Sequence, residues 1–204
     1  MFFFLISSGS RFDKNISYRE PALRELIQTV AAKVPVGIHL SYKSHVSSLA
    51  SQREIDRLKD ITGLPVTANR YHYLRFHVPH GMAKLVKLGI TDEYSMGYAP
   101  RPGFRAAICT PHYFFNVKTN EVTSLLIHPL AFMDTTFVHY LRCEREEAIE
   151  KMMAILKHGY KVGGTIIGLW HNSSFTEKRE WKGWRKVFET INEEAAHLME
   201  SSGE

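Results

Sequence analysis

The chain has 204 residues, 44% of them hydrophobic and 12% aromatic, with a formal net charge of +5. That apolar share at so modest a charge excludes an intrinsically disordered chain, and the length suits a single domain, 1–204, with a sizeable core. The cations are spread through segments such as Lys84 to Lys87 and Lys178 to Lys186, which argues against a nucleic-acid reader, because phosphate neutralisation needs a contiguous basic surface.

The opening run Met1-Phe2-Phe3-Phe4-Leu5-Ile6 has no basic flank and is too short for a signal peptide or a membrane span. It reads as a first strand, Phe2 to Ile6, already inside a core, and the location expected of such a chain is cytoplasmic. A polar loop, Ser7 to Ser17, leads to a helix from about Glu20 to Lys33, with Pro21 suited to its first turn. Val34 to Ile38 is a second strand, and a helix through Arg53 to Ile61 stops at Gly63. A third strand, Val66 to Ala68, feeds the aromatic loop Arg70 to Phe76. This strand, loop, helix rhythm is that of parallel β/α construction.

Beyond Pro79 a short helix ends at Gly89, and from Ile90 to Pro111 the chain reads as irregular. Leu125 to Leu130 is a further strand. Ala148, Ile149, Met152, Ile155 and Leu156 form one buried stripe of a helix from Glu144 to His158. Gly163 and Gly164 launch a strand, Thr165 to Leu169, and a terminal helix runs from Trp181 to about Met199. Cys109 and Cys143 lie far apart with no CxxC spacing and read as small core residues.

Three of these strands end on residues able to do chemistry: His39, the group Arg70-Tyr71-His72, and Trp170-His171. Open α/β sheets and barrels place their sites at the carboxyl ends of strands. One such histidine alone is usually a core residue satisfied by the backbone, so the repetition is what points to a site. Imidazole is both the commonest zinc ligand and the commonest proton carrier. His39 and His72 therefore read as two metal ligands, His171 as a proton donor, and Arg70 as a stabiliser of developing negative charge. The carboxylate base is left open among Asp13, Asp134 and the Asp92-Glu93 pair. Asp13 could equally organise a turn, Asp134 cap a segment, and Asp92-Glu93 form a solvated pair. The tryptophans, Trp170 above all, could stack on sugar rings, although packing is their more frequent work.

Four stretches in order carry a resemblance. They are Val36-Gly37-Ile38-His39-Leu40-Ser41-Tyr42-Lys43-Ser44, Arg70-Tyr71-His72-Tyr73-Leu74-Arg75-Phe76, Asp92-Glu93-Tyr94-Ser95-Met96-Gly97-Tyr98-Ala99 with Pro102-Gly103-Phe104-Arg105, and Leu169-Trp170-His171-Asn172. Together they resemble a bacterial branch of the polysaccharide deacetylases of the nodulation-type superfamily. The resemblance implies an α/β fold, an irregular and incomplete (β/α) barrel, and a hydrolase that removes N- or O-acetyl groups from a carbohydrate. It further implies a divalent metal, zinc by preference, with His39 as first ligand, Arg70 as a motif arginine and His171 as late-strand acid. Tyr73, Trp170 and Arg105 fall where substrate would be contacted. Two departures stand out. Lys43 occupies the place of the family's second histidine, so that His45 or His72 would substitute. The strand that bears the family's Asp-Asp pair would precede Phe2, so the chain reads as lacking the first β/α unit, with an open barrel edge that favours self-association. The alternative reading is a non-catalytic, glycan-binding remnant of a deacetylase.

Overall fold

Parallel pairing of short apolar runs organises the first part of the chain. The computed structural model describes residues 1–200, which divide into two compact units: Met1–Ser95 with His112–His128, and Met96–Pro111 with the described residues from Pro129 onward. The single domain expected from length and composition is thus organised as two units.

The first unit holds a six-stranded sheet in the order β1-β2-β3-β4-β6-β5. Its strands are β1 (Phe2–Phe4), β2 (Val36–Leu40), β3 (Ala68–Tyr71), β4 (Asp92–Glu93), β5 (His112–Asn116) and β6 (Glu121–Ile127). All pairings are parallel except that of β5 with β6. Crossover helices α1 (Pro21–Ala31), α2 (Ser48–Thr62) and α3 (His80–Lys87) follow β1, β2 and β3. Helix α2 shows why the sequence folds this way. The Ser47 hydroxyl caps its start by accepting from the Ala50 amide, and Ile55, Leu58 and Ile61 bury one stripe. Gly63 ends the helix in a left-handed turn at φ 69° that suits glycine. Burying a side chain such as Leu58, with no exposed surface, stabilises by about 1.5–3 kcal/mol.

Strand boundaries differ from the sequence reading in a way that matters. The β2–β3 ladder continues through Ile38↔Asn69, His39↔Arg70 and Leu40↔Tyr71, so His39 and Arg70 stand within strands instead of just beyond them. Neighbour pairing, invisible in a single run of residues, shifts each strand toward its carboxyl end. Conversely, β1 is not a core strand: it pairs only with β2, and Phe2 is 55% exposed. The stretch from Ile90 to Pro111, expected to be irregular, contains β4, and β5 begins directly after it.

The second unit pairs β7 (Phe132–Met133) in parallel with β8 (Gly168–Leu169), in the register Phe132↔Gly168 and Met133↔Leu169. A short π-helix (Thr136–Leu141) and helices α4 (Arg145–Lys161) and α5 (Trp184–Glu200) surround a core that includes Phe137, Met152, Trp184 and Ile191. The strand expected over Thr165 to Leu169 is confined to its last two residues because its partner is itself only two residues long. Gly168 faces the Phe132 ring so closely that a Cβ there would lie 2.6 Å from it. Cys109 and Cys143 are half-buried free thiols. No helix among the described residues is long and apolar enough to cross a membrane.

Candidate functional site

Two clusters carry the chemistry, one in each unit. In the first unit, Asp13 ties three segments together. Its Oδ2 accepts from the Ser10 hydroxyl (2.5 Å), while Oδ1 accepts from the Tyr42 amide and from His72 Nδ1, each at 2.8 Å. Asp13 is 3% exposed. Burial pushes its carboxyl up, but the bonds from Ser10, Tyr42 and His72 outweigh it and hold the group below the ordinary carboxylate range. His72 lies just past β3, and His39 in β2 stands with its ring centroid 5.0 Å from that of His72. His39 Nδ1 donates to the Arg70 carbonyl (2.7 Å), so both imidazoles are oriented through Nδ1.

A second buried carboxylate lies behind this cluster. Glu54 on α2 accepts from the Ser41 amide and from the hydroxyls of Ser41 and Ser44, and so fixes the turn that follows β2. Burial pushes its pKa up despite those bonds. Lys84 on α3 donates to the Ser44 carbonyl, and burial pushes its ammonium pKa down to about 8.

The second unit holds a tighter pair. Asp134, the residue after β7, is fully buried, and His171 lies two residues beyond β8. The carboxylate accepts from the His171 amide (2.6 Å), from His171 Nδ1 (2.6 Å), from the Thr135 amide (2.6 Å) and from the Ser174 hydroxyl. Burial pushes the Asp134 pKa up, and the contacts with His171 and Ser174 more than reverse it. The His171 side chain is 34% exposed. Such an arrangement fixes the ring's orientation and leaves Nε2 as the nitrogen able to pass a proton.

The remaining predicted residues fall out as follows. Arg70 places its guanidinium over the Phe3 ring at 4.8 Å and lends its carbonyl to His39. His45 is not grouped with His39 and His72: its Nδ1 is held by the Tyr42 carbonyl of its own turn, and its ring lies 5.6 Å from that of His77. Asp92 and Glu93 are no solvated pair. Asp92 binds His128 Nε2 at 2.8 Å, while Glu93 is fully buried and accepts from the Ser95 amide and hydroxyl and from Asn69. Trp170 packs edge-on against Phe188 in the core of its unit. Arg105 is exposed, and Tyr73 is 56% exposed beside His72, their ring centroids 4.6 Å apart. Sequence reasoning missed Ser174 and Glu54 altogether, and it named Asp134 without pairing it to His171. The available signal was that both follow apolar residues by one or two positions.

The expected metal does not find a complete ligand set. His39 and His72 have the right chemistry, but among the described residues no three His, Cys, Asp or Glu side chains are grouped as a metal would require. Asp13 already directs both oxygens to Ser10, Tyr42 and His72.

No family model matches the sequence, and no curated protein is similar to it. Solved structures are similar in fold. A Mycobacterium smegmatis protein provisionally described as a polysaccharide deacetylase aligns with a TM-score of 0.58 at 14% identity, covering 88% of this chain and 68% of its own. A Bordetella bronchiseptica protein, provisionally described as a polysaccharide deacetylase involved in O-antigen biosynthesis, aligns at 0.45 and 10% identity, covering 93% of this chain and 78% of its own. The parallel-rich α/β architecture and the first of these alignments lead to one statement: the chain has the polysaccharide deacetylase fold.

Proposed function

We propose that this protein is a hydrolase that removes acetyl groups from a carbohydrate, with His171 as the general acid. The observation that carries the reading is the Asp134–His171 pair: a fully buried carboxylate holding a partly exposed imidazole through Nδ1. Deacetylation adds water to the acetyl carbonyl carbon and breaks the bond from that carbon to nitrogen or oxygen. The attacking water gives up a proton and the departing atom needs one; Nε2, unprotonated while Nδ1 donates to Asp134, is suited to take up the first and deliver it to the second. Asp134 is then a positioning residue that fixes ring and tautomer. The proposed reading uses no metal chemistry, because the described residues do not complete a site for the ion; His39 and His72 would be two of its ligands. The fold shared with the M. smegmatis protein supports the assignment, as does the order of the four sequence motifs.

One observation favours a second reading, glycan binding without turnover: the His39–His72 pair has no third ligand grouped with it among the described residues. A single experiment separates the two. Acetate release is measured from N-acetylated chitooligosaccharides and O-acetylated xylooligosaccharides, with wild type and with His171→Ala. Release by wild type that disappears in the variant supports the hydrolase. Binding of the oligosaccharides with no release supports the remnant.

A further inference from the structure

Beside the Asp13–His72 cluster stands a corner of aromatic and cationic side chains that the acid–base reading does not use. Phe12 stacks on Tyr42 with ring centroids 4.1 Å apart and an interplanar angle of 23°. The Arg75 guanidinium lies 4.2 Å from the centre of the Tyr42 ring, and that of Arg11 lies 5.8 Å from the centre of Phe12. Tyr73 meets both rings edge-on, at 6.2 Å from Phe12 and 5.6 Å from Tyr42.

Three features set this corner apart from ordinary packing. First, Phe12 and Tyr73 remain 40% and 56% exposed although they are large aromatics in mutual contact. Second, Tyr73 and Leu74 both take left-handed backbone conformations, at φ 60° and 50°, which neither residue favours. The pair of unusual conformations buries Leu74 while leaving the Tyr73 ring outward, immediately after His72. Backbone conformations of that kind persist where the surroundings impose them, and they cluster at binding sites. Third, the three segments that build the corner carry Arg11, Lys14, Lys43 and Arg75 against a single acid, Asp13, and that acid is buried and fully hydrogen-bonded.

We propose that Phe12, Tyr42 and Tyr73, with Arg11 and Arg75, form a subsite for a carboxylate-bearing sugar unit, so that the carbohydrate recognised is an acidic glycan. A pyranose presents an apolar C–H face that suits an exposed aromatic ring, and it carries charge at its rim. Here the Tyr73 ring, 56% exposed and set edge-on to the stacked Phe12 and Tyr42, supplies the face, and the guanidiniums of Arg11 and Arg75 are the donors matched to a carboxylate. The uncompensated positive charge of the corner selects against a neutral or cationic sugar. The subsite lies wholly in the first unit and is proposed independently of the acid–base pair in the second, so it is tested by binding alone.

The probe is tetragalacturonate, with its fully methyl-esterified form as the neutral control, titrated calorimetrically into the intact chain at low and at physiological ionic strength. The free acid binds at least tenfold more tightly than the ester, and the margin narrows with salt. Tyr73→Ala weakens both probes about tenfold, as expected for losing a stacking surface. Arg11→Gln narrows the preference for the acid, Arg75 remaining, while the ester binds as before; circular dichroism of both variants matches wild type, since these side chains are exposed. Equal binding of acid and ester, no binding of either, or unaltered binding by folded Tyr73→Ala each overturns the subsite. His171→Ala keeps full binding. Acetate release together with equal binding of acid and ester would sink the subsite and leave the hydrolase standing. Selective binding of the acid without acetate release would do the reverse.

Discussion

Each unit of the molecule contains a histidine bound through Nδ1 to a buried aspartate, yet the two pairs are built for different work. Asp134 gathers its bonds on one neighbourhood: the amide and ring of His171, with Thr135 and Ser174 beside them. Asp13 divides its bonds among Ser10, Tyr42 and His72, residues from three separate segments. The first aspartate orients a single ring, and the second is a joint between loops. The same two side chains thus make an acid–base device in one setting and a structural knot in the other. What decides is whether the carboxylate's other lone pairs return to the histidine or travel elsewhere.

The comparison is broken most sharply by removing the rings. His171→Ala is expected to lower acetate release by about 10²–10⁴-fold, the usual worth of a general acid, with a smaller loss of stability than Asp134→Asn, because the amides of residues 171 and 135 and the Ser174 hydroxyl still meet the buried carboxylate. His72→Ala is expected to do the opposite, loosening the loops more than any intrinsic proton transfer. A His171→Ala enzyme with undiminished turnover would end the assignment.

Next in size is the loss of the carboxylates. Asp134→Asn leaves buried donors short of acceptors and is expected to cost about 2–3 kcal/mol in denaturant unfolding, and Asp13→Asn about 1–2 kcal/mol. Amide hydrogen exchange sharpens the contrast. In Asp13→Asn the Tyr42 amide exchanges faster while the His171 amide is unchanged, and in Asp134→Asn the pattern inverts. Accelerated exchange at both amides in either variant would show that the two pairs are not independent.

The smallest expected effect is on pH dependence. Both aspartates have folded pKa values below the ordinary 3.8, so the unfolded chain binds more protons as the solution is acidified. Their stabilisation is complete above about pH 4 and is lost as pH falls through the lowered folded values. Glu54 has the opposite sign. Its pKa is raised above 4.5, so its contribution declines as pH rises from there toward the raised folded value. Relative to wild type, Glu54→Gln should therefore gain stability as pH rises above about 4.5 in thermal melts, whereas Asp134→Asn should lose most at neutral pH and converge with wild type in acid.

Much of this architecture was legible in the sequence. The stripe of α4 and the stop of α2 at Gly63 follow from periodicity and backbone preference alone. The existence of β2 and β3 was legible too, though not their bounds, and the two strands place the rings of His39 and His72 5.0 Å apart. What escaped was set by partners distant in the chain. Strand β4 is only Asp92–Glu93, two acids with no apolar run, and exists because β3 and β6 flank it. Glu93 can be fully buried because Ser95 and Asn69 meet its carboxylate, and nothing local announces that. His45 was expected beside His39, but a turn that closes Nδ1 onto the Tyr42 carbonyl directs it to His77 instead. The Asp134–His171 pair spans 37 positions and depends on a ladder too short to show in either segment.

That ladder has a consequence for how variation in this protein should be interpreted. Two residue pairs, Phe132↔Gly168 and Met133↔Leu169, set the spacing between the aspartate that follows one strand and the histidine that follows the other. At one of them the Phe132 ring occupies the volume into which any side chain at position 168 would grow. A single added methyl must therefore displace the Phe132 ring, one residue pair from the aspartate–histidine contact, without touching a group that handles protons. An alanine at this position looks innocuous in an inventory of chemical functionality and is nevertheless expected to disturb how the imidazole is held.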